Sequence, residues 1–162
     1  MKLKFVPLSL SIGILAAIWT WVSIKLGWPT WAGFIGWAFF FVAGGDAKAL
    51  WKAGLPMIVG VIFGYLCLYG LKLSGELGIV AISLLVGLAA LILVLLMNWE
   101  PMALAPASFC GFAAFFAFTF GTFKSDNFFA FANIGYTLLG LLIGVGLGWL
   151  SVTIPAQFQK GT

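Results

Sequence analysis

Polar and charged residues fall along this chain in short clusters, and the stretches between them are almost entirely apolar. Six such segments can be marked, at about 5–26, 30–45, 54–72, 77–97, 104–122 and 129–153. Lys25, Gly27 and Pro29 close the first, Gly44-Gly45-Asp46 the second, and Lys72 and Glu76 the third. Asn98-Trp99-Glu100-Pro101 closes the fourth and Lys124-Ser125-Asp126-Asn127 the fifth, while the sixth stops before Pro155. A helix that crosses the hydrocarbon core needs ~20 residues. Segments one, three, four and six meet that length; five is marginal and two is short. From Leu84 to Met97 no side chain is polar, whereas a barrel strand would alternate apolar and polar positions. The spans are therefore expected to be helices, which satisfy their own backbone groups in lipid. Bulky residues at 17–23 leave no small-residue cleavage site, so the first segment is expected to be retained.

The two halves of the pattern resemble each other. Ser9 to Ile18 aligns with Ser83 to Ile92, and Ala32 to Phe41 with Ala107 to Phe116. Gly60-x-x-x-Gly64 matches Gly140-x-x-x-Gly144 in third place. The expectation is one transmembrane domain over 1–162, an all-α polytopic membrane protein of about six helices in two repeats of three. Repeat one runs about 5–74 and repeat two about 77–153. If every segment crosses, the repeats are inverted, an arrangement that recurs in transporters and channels. If segments two and five re-enter instead, the repeats run parallel.

Composition narrows the class further. The chain is 64% hydrophobic and 7% charged, against about a quarter charged in soluble domains. That excludes a soluble globular domain, a disordered chain and a nucleic-acid binder, and makes the lipid bilayer the first partner. Histidine is absent and all eight basic residues are lysine. The usual acid/base group at neutral pH is therefore missing, and no enzyme, metal site or cofactor is expected. Cys67 and Cys110 each sit in an apolar run and read as structural. With an inside N-terminus, Lys2, Lys4, Lys48, Lys52 and Lys160 lie on one side and Lys25, Lys72 and Lys124 on the other. This bias favours both termini in the cytoplasm. Trp28, Trp31, Trp51, Trp99 and Trp149 fall near segment ends, where indole rings anchor; Trp19, Trp21 and Trp37 are expected to pack between helices.

The shared motif Ala-x-Phe-x-Gly-x-Ala-x-Phe-Phe is the most distinctive chemistry. One reading makes Phe34, Gly36, Phe40, Phe109, Gly111, Phe115 and Phe116 the lining of a path, joined by Asn133. The other makes them helix packing, in which small residues admit bulky neighbours. Gly60, Gly64, Gly140, Gly144 and Gly148 form small-xxx-small ladders for close helix contact. Asn98 and Glu100 are candidate polar groups in the loop before segment five. No charge is expected deep in a span, so a path would suit a small uncharged solute.

Thr30-Trp31-Ala32-Gly33-Phe34-Ile35-Gly36 and its counterpart Ala105-Pro106-Ala107-Ser108-Phe109-Cys110-Gly111 resemble the signature of a bacterial family, domain of unknown function 1097. The resemblance covers nearly the whole chain. It implies a small bacterial inner-membrane protein and carries over no catalytic or binding residues. A looser likeness to urea and short-amide channels rests on size, phenylalanine content and duplication. The function expected is a channel or facilitator for a small, largely uncharged solute, in a homo-oligomer. The alternative is an accessory or scaffold subunit that docks a membrane partner through its glycine ladders.

Overall fold

The structure is a computed structural model and describes residues 6–75, 78–121 and 127–159. Lys2, Lys4, Glu76, Lys124, Asp126 and Lys160 lie outside the described residues. Six α-helices account for the apolar segments: α1 Val6–Leu26, α2 Thr30–Val42, α3 Ala47–Leu73, α4 Gly78–Leu95, α5 Ala105–Phe120 and α6 Ala132–Gln159. Two single 3₁₀ turns, Leu96–Asn98 and Glu100–Met102, link α4 to α5. Helices α1, α3, α4 and α6 are long and apolar enough to cross a membrane. The protein is a polytopic helical membrane protein.

Two boundaries move outward from those the pattern predicts. α3 begins at Ala47, a full two turns before position 54, because Asp46 caps it by accepting a hydrogen bond from the Ala49 amide at 2.9 Å. Lys48 and Lys52 then lie on its exposed side. α6 runs past Pro155, which is buried inside the helix; proline is tolerated in membrane helices when neighbours resolve the freed backbone group. α1 and α2 end at glycines. The amides of Gly27 and Trp28 return to the carbonyls of Ile24 and Ser23, with Gly27 at φ +65°. Those of Gly44 and Gly45 return to Phe41 and Phe40, with Gly44 at φ +118°. Both are Schellman caps, and the left-handed residue turns the chain back sharply.

These turns make successive helices alternate in direction. α2 folds back on α1, with Gly33 against the Trp19 ring and the Trp19 indole donating to the Thr30 carbonyl at 2.9 Å. α4 folds back on α3, with Leu85 against Gly70 and the Cys67 thiol donating to the Leu85 carbonyl at 3.5 Å. Across the halves, α6 runs parallel to α2, since Gly144 meets Gly33 and Gly148 meets Phe40. α5 runs parallel to α3, since Gly60 meets Ser108 and Gly64 meets Phe115. Each helix of the first half therefore opposes its counterpart in the second, and the halves are inverted.

The third helices are exchanged. α2 packs most extensively on α6 and α5 on α3, so the bundle consists of two three-helix units, α1–α2–α6 and α4–α5–α3. They meet along α3 and α6. α1 and α4 are peripheral, with their apolar outer faces exposed. Trp19 and Trp37 are buried as expected, but Trp21 is 65% exposed. Two residues on from Trp19, it points to the far side of α1.

The inverted relation holds, but two of the three sequence anchors are displaced by a helical turn. Buried Ser11, Trp19 and Ser23 of α1 correspond to buried Ala81, Ala89 and Leu93 of α4, 70 positions on rather than 74. Gly60 and Gly64 correspond by contact to Gly144 and Gly148, 84 positions on rather than 80. Only the α2/α5 anchor is in register: Gly36 meets the Leu141 carbonyl and Gly111 the Met57 carbonyl, 75 positions on. Small residues recur every fourth position in these helices, so a shift of one turn still matches small to small.

Candidate functional site

Each motif residue has a definite place. Gly36 and Gly111 face the backbone of α6 and α3, and a Cβ on either would overlap a carbonyl oxygen. Phe40 and Phe115 are fully buried, each against a glycine of the parallel partner helix, Gly148 and Gly64. Phe34 and Phe109 point outward and are 43% and 40% exposed. Phe116 is half-buried in a chain of rings with Phe112, Phe115 and Phe120. The motif thus welds the two helices of each unit together. Its inner positions fill space and its outer ones face the surroundings of the bundle.

The glycine ladders are used in the same way. Gly60, Gly64, Gly140, Gly144 and Gly148 all meet other helices of this chain. Lipid offers no hydrophobic drive between helices, so dispersion across such close backbone contact holds these pairs together.

The polar groups of the interior are neutral. Among the described residues the buried polar side chains are serines, threonines and Asn133, with no charge. Ser108, Thr119, Asn133 and Thr137, on α5 and α6, have Gly33 of α2, Gly44 just after it, and Ala49 and Ala53 of α3 as counterparts. The interior is therefore inverted in shape but not in chemistry. Most of these groups are held locally. Asn133 donates to the Asn127 and Phe128 carbonyls at 3.2 and 3.3 Å, and Thr137 donates to the Asn133 carbonyl at 2.7 Å. Across the first unit, the Trp37 indole donates to Ser151 Oγ at 3.3 Å, and that hydroxyl donates to Gly148. The hydroxyls of Ser108 and Thr119 are buried without a hydrogen-bond partner. Asn133 is thus a fastener of the α5–α6 loop. Asn133→Ala is expected to lower stability by ~1 kcal/mol, the net worth of its hydrogen bonds to carbonyls that water can reach, read as a lower melting temperature in detergent.

Glu100 occupies one end of the bundle. Its carboxylate lies 3.9 Å from Lys52 Nζ, and both side chains are largely exposed, so the pair contributes little to stability. Together with Val42, Ala43, Pro101, Ala103 and Leu104 they line a recess of about 220 Å³. Sequence reasoning placed Glu100 in a loop but could not join it to Lys52, 48 residues earlier. Asn98 is exposed and caps its own turn by donating to the Leu95 carbonyl at 2.9 Å. Two smaller apolar hollows lie between α3 and α4, near Cys67 and Leu85, and between α4 and α5, near Leu93 and Phe109. No group of histidine, cysteine or acidic residues among the described residues could hold a metal ion.

Comparison with known proteins adds a family. A relative from Escherichia coli K12, inner membrane protein YcdZ, is 31% identical over 111 residues, covering 68% of each chain. The YcdZ protein of Salmonella typhimurium is 30% identical over 111 residues, covering 68% of this chain and 69% of its own. No solved structure matches. The model of the family described as protein of unknown function DUF1097 matches residues 9–156, nearly all of the six-helix bundle, and the chain belongs to that family.

Proposed function

We propose that this protein is a facilitator of a small, largely uncharged solute across the bacterial inner membrane, the membrane its relatives are named for. The observation that carries the reading is the seam. Two inverted three-helix units meet there, and the polar side chains buried in the described interior are neutral hydroxyls and one amide. Inverted units with short helices beside the seam are a common ground plan for solute passage. A path without buried charge disfavours ions and has no group for proton coupling. Lys48 and Lys52 lie at one end of the bundle and Lys25 and Lys72 at the other, so the lysines of the described residues are balanced between the two ends.

The accessory-subunit reading drew its strength from the glycine ladders. Those glycines meet partners within the chain, so a docking role would need another surface. The exposed faces of α1 and α4 remain available to lipid or to a second copy in a homo-oligomer. The deciding experiment is solute flux in proteoliposomes, followed by light scattering, with a panel of small amides, polyols and weak acids. At least one neutral solute is expected to cross faster than in empty liposomes. Rates equal to empty liposomes across the whole panel would sink the reading.

A further inference from the structure

The two ends of the seam differ. The recess at Lys52 and Glu100 is open. Its walls include Ala43, just after α2, and Lys52 of α3. Under the offsets fixed by helix contacts, the counterpart of Ala43 is Phe118 of α5, 75 positions on. The counterpart of Lys52 is Tyr136 of α6, 84 positions on. At that opposite end the two side chains are rings stacked on each other, with centroids 5.8 Å apart and planes inclined by 18°. Phe118 is buried there. Where one end has a methyl group and a lysine beside a hollow, the other has two aromatic rings in contact.

Two further observations point the same way. Thr119 follows Phe118, is fully buried, and its hydroxyl has no hydrogen-bond partner. A buried hydroxyl without a partner is costly; Ser11 and Ser108 share this state, whereas Thr137, Ser83 and Thr153 return to a carbonyl of the preceding turn. At the open end, Pro56 sits inside α3 and has no amide to return to the Lys52 carbonyl. Its counterpart in α6 is Gly140, which keeps its amide. The open recess therefore offers a cation and a carboxylate in balance, on a stretch of α3 that lacks one backbone donor. The opposite end holds a buried hydroxyl without a partner and a ring stack in which Phe118 is buried and Tyr136 is 46% exposed.

We propose that the recess at Lys52 and Glu100 is the vestibule that admits a small neutral solute with both hydrogen-bond donors and acceptors, and that the Phe118–Tyr136 stack plugs the equivalent vestibule at the other end. This rests on the transport reading above. In these terms the structure is a one-sided state, with solute reaching the seam from the recess and passing on only when the rings part. The Thr119 hydroxyl, buried one residue on from Phe118, is the group that reports whether the rings part.

The test uses thiol labelling in detergent with a water-soluble maleimide, independently of flux. The background is the full chain carrying Cys67→Ala and Cys110→Ala. Ala43→Cys is expected to label rapidly and Thr119→Cys at least about tenfold more slowly, since a buried site reacts only through local opening. Adding Tyr136→Ala should raise Thr119→Cys to the rate of Ala43→Cys, while Tyr136→Phe, which keeps the ring, should not. If Tyr136→Ala fails to fold, Phe118→Val serves in its place. Thr119→Cys labelling as fast as Ala43→Cys in the unaltered stack would overturn the plug, and so would labelling that neither ring deletion changes. The expected labelling pattern with no flux for any solute would support the plug and overturn the transport reading alone.

Discussion

Gly144→Leu is expected to abolish the folded protein, and Gly144→Ala to destabilise it by ~3 kcal/mol, toward the upper end of overpacking costs. A Cβ on Gly144 would overlap the Gly33 carbonyl oxygen and lie 2.7 Å and 2.9 Å from its carbon and Cα. Those atoms are backbone and cannot swing aside, so α2 must move as a body. Moving it also disturbs Phe40 on Gly148 and Gly36 on Leu141, which belong to the same α2–α6 contact. The control lies two residues away on the same helix. Gly146 has nothing within 4 Å of an added Cβ, so Gly146→Ala should be neutral or gain up to ~1 kcal/mol from helix propensity. Melting followed by fluorescence-detected size exclusion compares the two. Equal effects at both positions would show that α2 and α6 do not meet through these glycines.

The second large effect is expected at Phe115. Its ring is fully buried, against Gly64 and edge-on to Tyr65 at 6.2 Å and Phe116 at 5.8 Å. Phe115→Ala leaves a cavity between the Gly64 backbone and the rings of Tyr65 and Phe116, and loosens the α3–α5 contact. The cost is ~3 kcal/mol, the low end for a phenylalanine deletion, because in lipid only the packing part is lost. A path-lining ring would behave differently: truncation would widen the path and raise flux while leaving melting little changed. Melting and flux measured on the same Phe115→Ala preparation separate the two roles. A melting temperature like that of the unaltered chain would return Phe115 to the path.

Much of the fold is written locally. The six apolar segments, their helical state and most of their ends follow from hydropathy and from glycines that allow left-handed caps. What is not local is which small residue meets which backbone. Gly36, Gly60, Gly111 and Gly144 stand out in the sequence as small, but α2 and α3 carry several equally small positions one turn apart. A repeat aligned by residue type therefore slides by four without penalty, as it does for the first and third helices. The recess was hidden for a related reason. Val42, Lys52 and Glu100 come from three separate elements, and only the return of α5 along α3 brings them together. The plug was equally invisible, since Phe118 and Tyr136 are two aromatics among twenty-eight, and their meaning comes from what stands at the inverted positions.

The exchange of third helices has a consequence for how the chain is made. A nascent membrane protein emerges from its N-terminus, and its domains generally complete in that order. Here the first unit cannot close in that order, because α1 and α2 wait for α6, which follows α3, α4 and α5 in the chain. α2 is the short one, 13 residues and ~20 Å long at 1.5 Å per residue, too short to hold a span alone. It must linger beside α1 while the whole second unit assembles, since α3, α4 and α5 are all present before α6 arrives. Of the six helices α6 is the one that locks the first two in place, so the unit built from α3, α4 and α5 can close before the unit that holds α1 and α2.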